Sequence, residues 1–219
     1  MRRARGIGLA EVLISLFLAS LLLVMVTQHY AEIALKTRHF HALVNEKTEL
    51  LQVVTFLRER IRNAGFLPCV SLNRLSMPPV KAVEVSGDTL ILRSMSPNYQ
   101  EAAFSRGERL SNAHFADKPV IIADCLKAEV QTASARSPLT ADCTRFCHIG
   151  ELLEERFYVK RDSSGSKALM YAASHPEVLT NAITGFKARI IPVNGLKQVE
   201  VVLTLLSGQT LTVNTRVRA

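Results

Sequence analysis

Residues 7–26 form an apolar run of 20 residues that carries a single charged side chain, Glu11. As a helix, a run of this length matches the ~20 residues needed to cross a hydrocarbon core of about 30 Å. A charge at the centre of such a span costs roughly 2.5–3.5 kcal/mol on insertion scales. Glu11 lies off-centre, one turn in, where the cost is smaller but real, so its carboxylate calls for a partner charge inside the membrane. Arg2, Arg3 and Arg5 precede the run. Basic residues before a span, with fewer just after it, put the N-terminus in the cytoplasm and the bulk of the chain outside. An ordinary secretory signal fits poorly, because its apolar core runs about 7–15 residues and is followed by a small-residue cleavage site. This run is longer, holds Glu11, and has no A-x-A site before Tyr30.

The helical pattern continues past the span. Residues 27–64 contain no glycine or proline. Ile33, Phe40, Leu43, Leu50, Val54, Leu57, Ile61 and Ala64 recur three, four or seven apart, which marks one face of an amphipathic helix broken only by Lys47. Arg58, Arg60 and Arg62 complement the negative end of the helix dipole. Asn63, Ala64 and Gly65 then offer a left-handed cap, with Pro68 as a stop. A helix over 7–64 is roughly 85 Å long at 1.5 Å per residue, too long for a globular domain alone. Half of it is predicted to lie in the bilayer and half along a folded head.

At 219 residues the chain has room for one anchor helix and one soluble domain of common size. Its formal net charge is +8, and the surplus is spread along the chain, which fits a solvated basic surface better than a phosphate-binding block. Cys69, Cys125, Cys143 and Cys147 all fall beyond the span, in what this topology makes an oxidising compartment. Four cysteines allow three connectivities, and sequence alone does not choose among them. The favoured reading closes a small loop between Cys143 and Cys147 and leaves Cys69–Cys125 to tie the helix end to the domain. Cys143, Cys147 and His148 lack the C-x2-C pairing and fourth ligand of a zinc site, so no metal or other cofactor is expected.

From residue 67 the texture changes to short β runs. Residues 80–85 and 89–93 flank the Gly87-Asp88 turn as a hairpin. Residues 94–118 read as a long polar loop, 119–125 as a strand, 128–132 as another, and 134–144 as a loop holding Cys143. Residues 156–160 and 168–172 pair across a serine-rich turn. The last third is the clearest β region: 186–193, the Asn194-Gly195 turn, 198–206 and 209–217. The fold class is therefore α+β, a long N-terminal helix packed on an antiparallel β-rich head. The expected parts are a 1–6 leader, a 7–26 transmembrane half-helix, a 27–66 amphipathic half-helix and a 67–219 head.

The order Gly6, Ile7, Gly8, Leu9, Ala10, Glu11, Val12, Leu13, Ile14 after a basic leader resembles the class III signal of type IV pilins and type II secretion pseudopilins. In that family the prepilin peptidase cuts after the glycine and N-methylates the new first residue, and the fifth mature residue is Glu. Cutting after Gly6 makes Ile7 the mature N-terminus and puts Glu11 fifth. Ile7 and Ala10 depart from the commonest form, which begins with Phe and has a β-branched residue before Glu. The stretch 56–66, Phe-Leu-Arg-Glu-Arg-Ile-Arg-Asn-Ala-Gly-Phe, is similar to the helix end of PilW-type minor pilins and J-type pseudopilins. The strand order of the head also resembles the PilW type.

The resemblance implies a pilin-like fold in a single-pass protein of the bacterial inner membrane, with a periplasmic head that later sits at the pilus tip. It implies a minor pilin that primes pilus assembly with other minor pilins and the major pilin. The alternative is a J-like minor pseudopilin of a type II secretion system. A DNA- or surface-binding tip receptor ranks lower, since the charge is dispersed and few aromatics cluster. No enzyme is expected. The histidines His29, His39, His41, His114, His148 and His175 are scattered, and no G-x-S-x-G or phosphate-cradling glycine loop occurs.

Processing has a direct readout. Removing residues 1–6 takes away three arginines and lowers the formal charge from +8 to +5. Intact mass and N-terminal sequencing are expected to give a chain starting at N-methyl-Ile7 only when prepilin peptidase is present. A chain starting at Met1 in both cases means a simple anchor.

Overall fold

The structure, a computed structural model, describes residues 8–75, 78–104, 118–132, 143–161 and 165–218. One helix, α1 (Leu9–Asn63), spans two compact units, Met1–Glu49 and Leu50–Ala219. Within the first unit its apolar side chains are exposed, and these include Ile33, Phe40 and Leu43. Within the second unit Val53, Val54, Leu57, Ile61 and Ala64 are the buried side of the helix, with Leu50 partly buried beside them.

The helix ends where the sequence offers a cap. Gly65 takes φ +81°, and its N–H donates to the Arg93 carbonyl at 2.7 Å. A Cβ there would come within 2.9 Å of the Ala82 Cβ, so this position needs glycine for both conformation and space. The Met95 N–H then donates to the Phe66 carbonyl at 2.9 Å, laying the chain beside a strand as it leaves the helix. A 3-10 turn follows at Leu72–Arg74, capped by Ser71.

Among the described residues, eight strands make one antiparallel sheet and three make another. The first contains β1 (Val83–Ser86), β2 (Thr89–Met95), β3 (Gln100–Phe104), β4 (Pro119–Ala123), β5 (Ala128–Thr132), β6 (Cys143–Arg161), β7 (Lys167–Ala172) and β8 (Pro176–Thr180). The second is a meander of β9 (Ile183–Val193), β10 (Leu196–Leu205) and β11 (Thr210–Arg216). The β9–β10 turn has positive φ at both Asn194 and Gly195, as a two-residue primed hairpin turn requires.

The main difference from the sequence reading is β6. Its 19 residues run through the stretch expected to be partly loop. It pairs with β3 and β4 along its first half and with β2 and β7 along its second. Charged residues hide it in the sequence, but they are matched across the ladder. Arg93 on β2 stands opposite Glu154 and bonds it at 2.7 Å, while also holding Glu84 on β1 at 2.7 Å. Burial opposes the charge on Arg93, yet its bonds to Glu84 and Glu154 outweigh that and raise its pKa. The expected loop at 94–118 contains β3, whose short polar sequence lacks an apolar alternation, and residues 105–117 lie outside the described residues. β1 starts at Val83 rather than at residue 80.

The two sheets meet where β9 runs beside β1, β2, β6 and β7. Leu57 and Ile61 join one cluster with Leu90, Leu92, Phe157 and Leu169 of the first sheet and Val199, Val201 and Leu203 of the second. The last turns of α1 are therefore core. Leu57 is fully buried and Leu51 is 67% exposed on the same helix. Leu57→Ala is expected to cost about 2–5 kcal/mol, and Leu51→Ala within about 0.5 kcal/mol of zero. Denaturant unfolding of the detergent-solubilised chain measures both.

Candidate functional site

The start of α1 is built by local bonds. Gly8 precedes the helix, and its carbonyl accepts from the Glu11 N–H at 2.9 Å. In return the Gly8 N–H donates to Glu11 Oε2 at 3.3 Å, the reciprocal half of a capping box. The hydroxyls of the apolar stretch are satisfied inside the helix. Ser15 donates to the Glu11 carbonyl, Ser20 to Phe17 at 2.8 Å, and Thr27 to Leu23 and Val24 at 2.9 Å. A carboxylate offers about four acceptor sites, so among the described residues one long bond leaves most of the capacity of Glu11 unused.

Around Glu11 the helix is apolar on every side. Val12, Leu13, Ile14, Leu16, Phe17 and Leu18 are all exposed. Each such side chain left in water forgoes roughly 1.5–3 kcal/mol, so a stretch of this kind amounts to tens of kcal/mol of uncovered surface. The helix is long and apolar enough to cross a membrane, with a mean hydropathy of 2.6 in its most apolar window. Helical backbone satisfies its own polar groups, which is what lipid demands. Gly6 and Ile7, the predicted cleavage pair, lie outside the described residues.

The remaining sequence candidates are placed as follows. Cys69 and Cys125 form a disulfide with Cα atoms 4.9 Å apart. It closes a separation of 56 residues, worth about 4 kcal/mol in the chain-entropy account. Cys125 sits in the β4–β5 turn, where Asp124 Oδ1 accepts from the N–H groups of Leu126 and Lys127 at 2.7 and 2.5 Å. Cys147 is buried on β6 and is also disulfide-bonded. The side chain of Cys143, its favoured partner, lies outside the described residues, as does that of His39 and all of His114. His148 is buried, with Nε2 3.7 Å from Glu101 and its ring edge-on to Tyr99. Among the described residues no three metal-ligating side chains gather.

One cluster escaped the sequence reading. Glu155 on β6 is buried, and its Oε1 accepts from the Tyr171 hydroxyl at 2.5 Å and lies 3.3 Å from Arg60 Nη1. Arg60 stacks 4.8 Å over Phe56, whose ring packs edge-on to Tyr171 and Phe157. Read as a dipole partner, Arg60 instead joins the helix to the sheet. The signal was present in the alternation Leu153, Glu155, Phe157, which sends a carboxylate to the same face as a core phenyl ring.

No protein-family model, no curated protein and no solved structure matches this chain. Its residues carry any assignment.

Burial, then the bond and charge of Glu155, push the Tyr171 phenol up to about 12. A raised pKa stabilises the fold fully below the ordinary tyrosine value of about 10 and loses that stability as pH climbs through the folded value. The difference between phenolate absorbance titrations of the native chain and Tyr171→Phe is expected to centre near 12. A difference centred near 10 rejects the buried, Glu155-bonded setting of the phenol.

Proposed function

We propose that the chain is a minor pilin of the PilW type, processed by prepilin peptidase and priming type IV pilus assembly at the tip. The observation that carries this reading is Glu11, five residues after Gly6 and in the first turn of a helix that is exposed and apolar at its start and runs unbroken to Asn63. The basic leader, the cap at Gly65 and the β-rich unit that follows support it.

In this reading the leader stays in the cytoplasm, the apolar helix waits in the inner membrane, and the rest of the chain folds in the periplasm. Cleavage frees a positive amine at Ile7. Opposite charges in a medium of low dielectric attract far more strongly than in water, and a buried charge left unpaired costs about 3–5 kcal/mol. The Glu11 carboxylate of one subunit neutralises the Ile7 amine of its neighbour, so that only a subunit in register relieves both charges. The bond from Gly8 to Glu11 holds the carboxylate in place until that amine arrives. Other minor pilins and the major pilin are the partners that supply and receive these charges.

Glu11→Ala tests the pairing apart from processing. The variant is expected to be cut and inserted normally while assembling on the order of a hundredfold fewer filaments, the consequence of a stranded amine. Electron-microscopic counts of surface filaments measure the effect. Wild-type piliation in the variant removes the assembly role.

A further inference from the structure

The disulfide of the unit Leu50–Ala219 joins two exposed residues, Cys69 and Cys125. Cys69 lies in the connection between α1 and β1, and Cys125 in the turn between β4 and β5. Leu126, which follows Cys125, is 80% exposed, and Lys127 after it is exposed as well. The bond therefore lies at the surface, open to a large molecule as well as a small one. Cys147 is also disulfide-bonded but has no exposed surface. Asp124 and Lys127 carry opposite charges on either side of Cys125, so the turn repels neither a neutral nor an anionic thiol.

Both cysteines are held in place by bonds other than their own. On the helix side, Leu67 and Leu72 are buried to either side of Cys69, and the Leu72 N–H donates to the Gly65 carbonyl at 2.8 Å. On the sheet side, the Asp124 N–H donates to the Lys127 carbonyl at 2.9 Å, and Asp124 Oδ1 accepts from Leu126 and Lys127. Ala123 pairs with Ala128 across this turn and with His148 of β6. The Cα atoms are 4.9 Å apart, within the range of about 4.4–6.8 Å from which a disulfide closes. Opening the bond leaves these anchors intact, so it is a local event, and reclosing needs no search.

We propose that the Cys69–Cys125 bond is a reversible thiol–disulfide exchange site, opened by an external dithiol while the chain stays folded. A thiolate of the dithiol attacks one of the two cysteine sulfurs, forms a mixed disulfide and releases the other cysteine as a thiolate, which takes a proton from water. The second thiol of the reagent gives up its proton, displaces the attacked cysteine and closes the reagent's own disulfide. Two electrons and two protons pass to the chain, and the dithiol is oxidised. Exchange depends on access to the sulfurs, so exposed disulfides are the labile ones. The chemistry is shared by a small dithiol and by a C-x-x-C pair on another protein.

The test uses the full chain in detergent micelles, with dithiothreitol and a reduced C-x-x-C protein as the two reagents. Alkylation at timed intervals and peptide mass spectrometry follow each cysteine. Opening that waits for global unfolding is slower than in the denatured chain by the folding equilibrium constant, ~10³-fold or more. Cys69 and Cys125 are expected to be slowed less than this and to be labelled ahead of Cys147. Their rate is expected to stay level in sub-denaturing urea, because local opening exposes little surface. After opening, the amides of Leu90, Phe157 and Val201 are expected to keep their protection from exchange, and oxidised dithiothreitol to restore the bond. Faster opening by the protein dithiol at equal concentration identifies a protein as the source, and faster opening by dithiothreitol a small molecule. A slowing of ~10³-fold or more, a rate that climbs with urea, labelling of Cys147 first or at the same rate, or loss of core amide protection on opening overturns the proposal.

Discussion

The fold of the unit Leu50–Ala219 depends on burying one face of the last four turns of α1. Val53, Val54, Leu57, Ile61 and Ala64 fill the space where the two sheets meet. Among the described residues no other α-helix packs on either sheet, and strands gain independent stability from a covered hydrophobic face or a helix packed on it. The same helix is therefore asked to suit two surroundings. Residues 12–26 are uncharged and apolar nearly all round, as a lipid-facing helix is, while residues 50–63 keep a polar face and a buried one. Glycine and proline are absent from 27–64 because a break there would divide these two demands into separate elements.

The second organising element is β6. A strand of 19 residues touching four others turns several hairpins into one sheet. Its length is tolerated because its charges are neutralised by neighbours in the ladder. Arg93 answers Glu84 and Glu154, and Arg60 and Tyr171 answer Glu155. The bonds from Arg156 and Arg93 pull the Glu154 carboxyl down, although its partial burial works the other way. Cross-strand pairing of this kind contributes modestly per pair, but here it decides which residues a strand can contain.

The helix, its cap at Gly65 and the Asn194-Gly195 hairpin were legible in the sequence because each rests on local chemistry: period, handedness and positive φ. The strands read correctly, such as β4 and β10, are those with apolar alternation or a continuous apolar run. β3, β8 and the first half of β6 were not legible. Their sequences are polar, and only their partners make them strands. Of the candidate site, Glu11 stood out by its charge alone, whereas the Arg60–Glu155–Tyr171 cluster exists only after α1 meets β6 and β7.

The disulfide between Cys69 and Cys125 has a mechanical meaning. Tension applied through the helix enters the sheets just past Gly65, where the chain hands over to β2. The bond bypasses 56 residues of chain, so once the hydrogen bonds to β2 let go the backbone of β1 to β4 is not drawn out. At about 3.4 Å per extended residue, roughly 190 Å of contour is locked away from the pulling direction. Pulled from its two ends, the chain extends by that much less than it would without the bond, and the closed loop stays next to the strands it must rejoin.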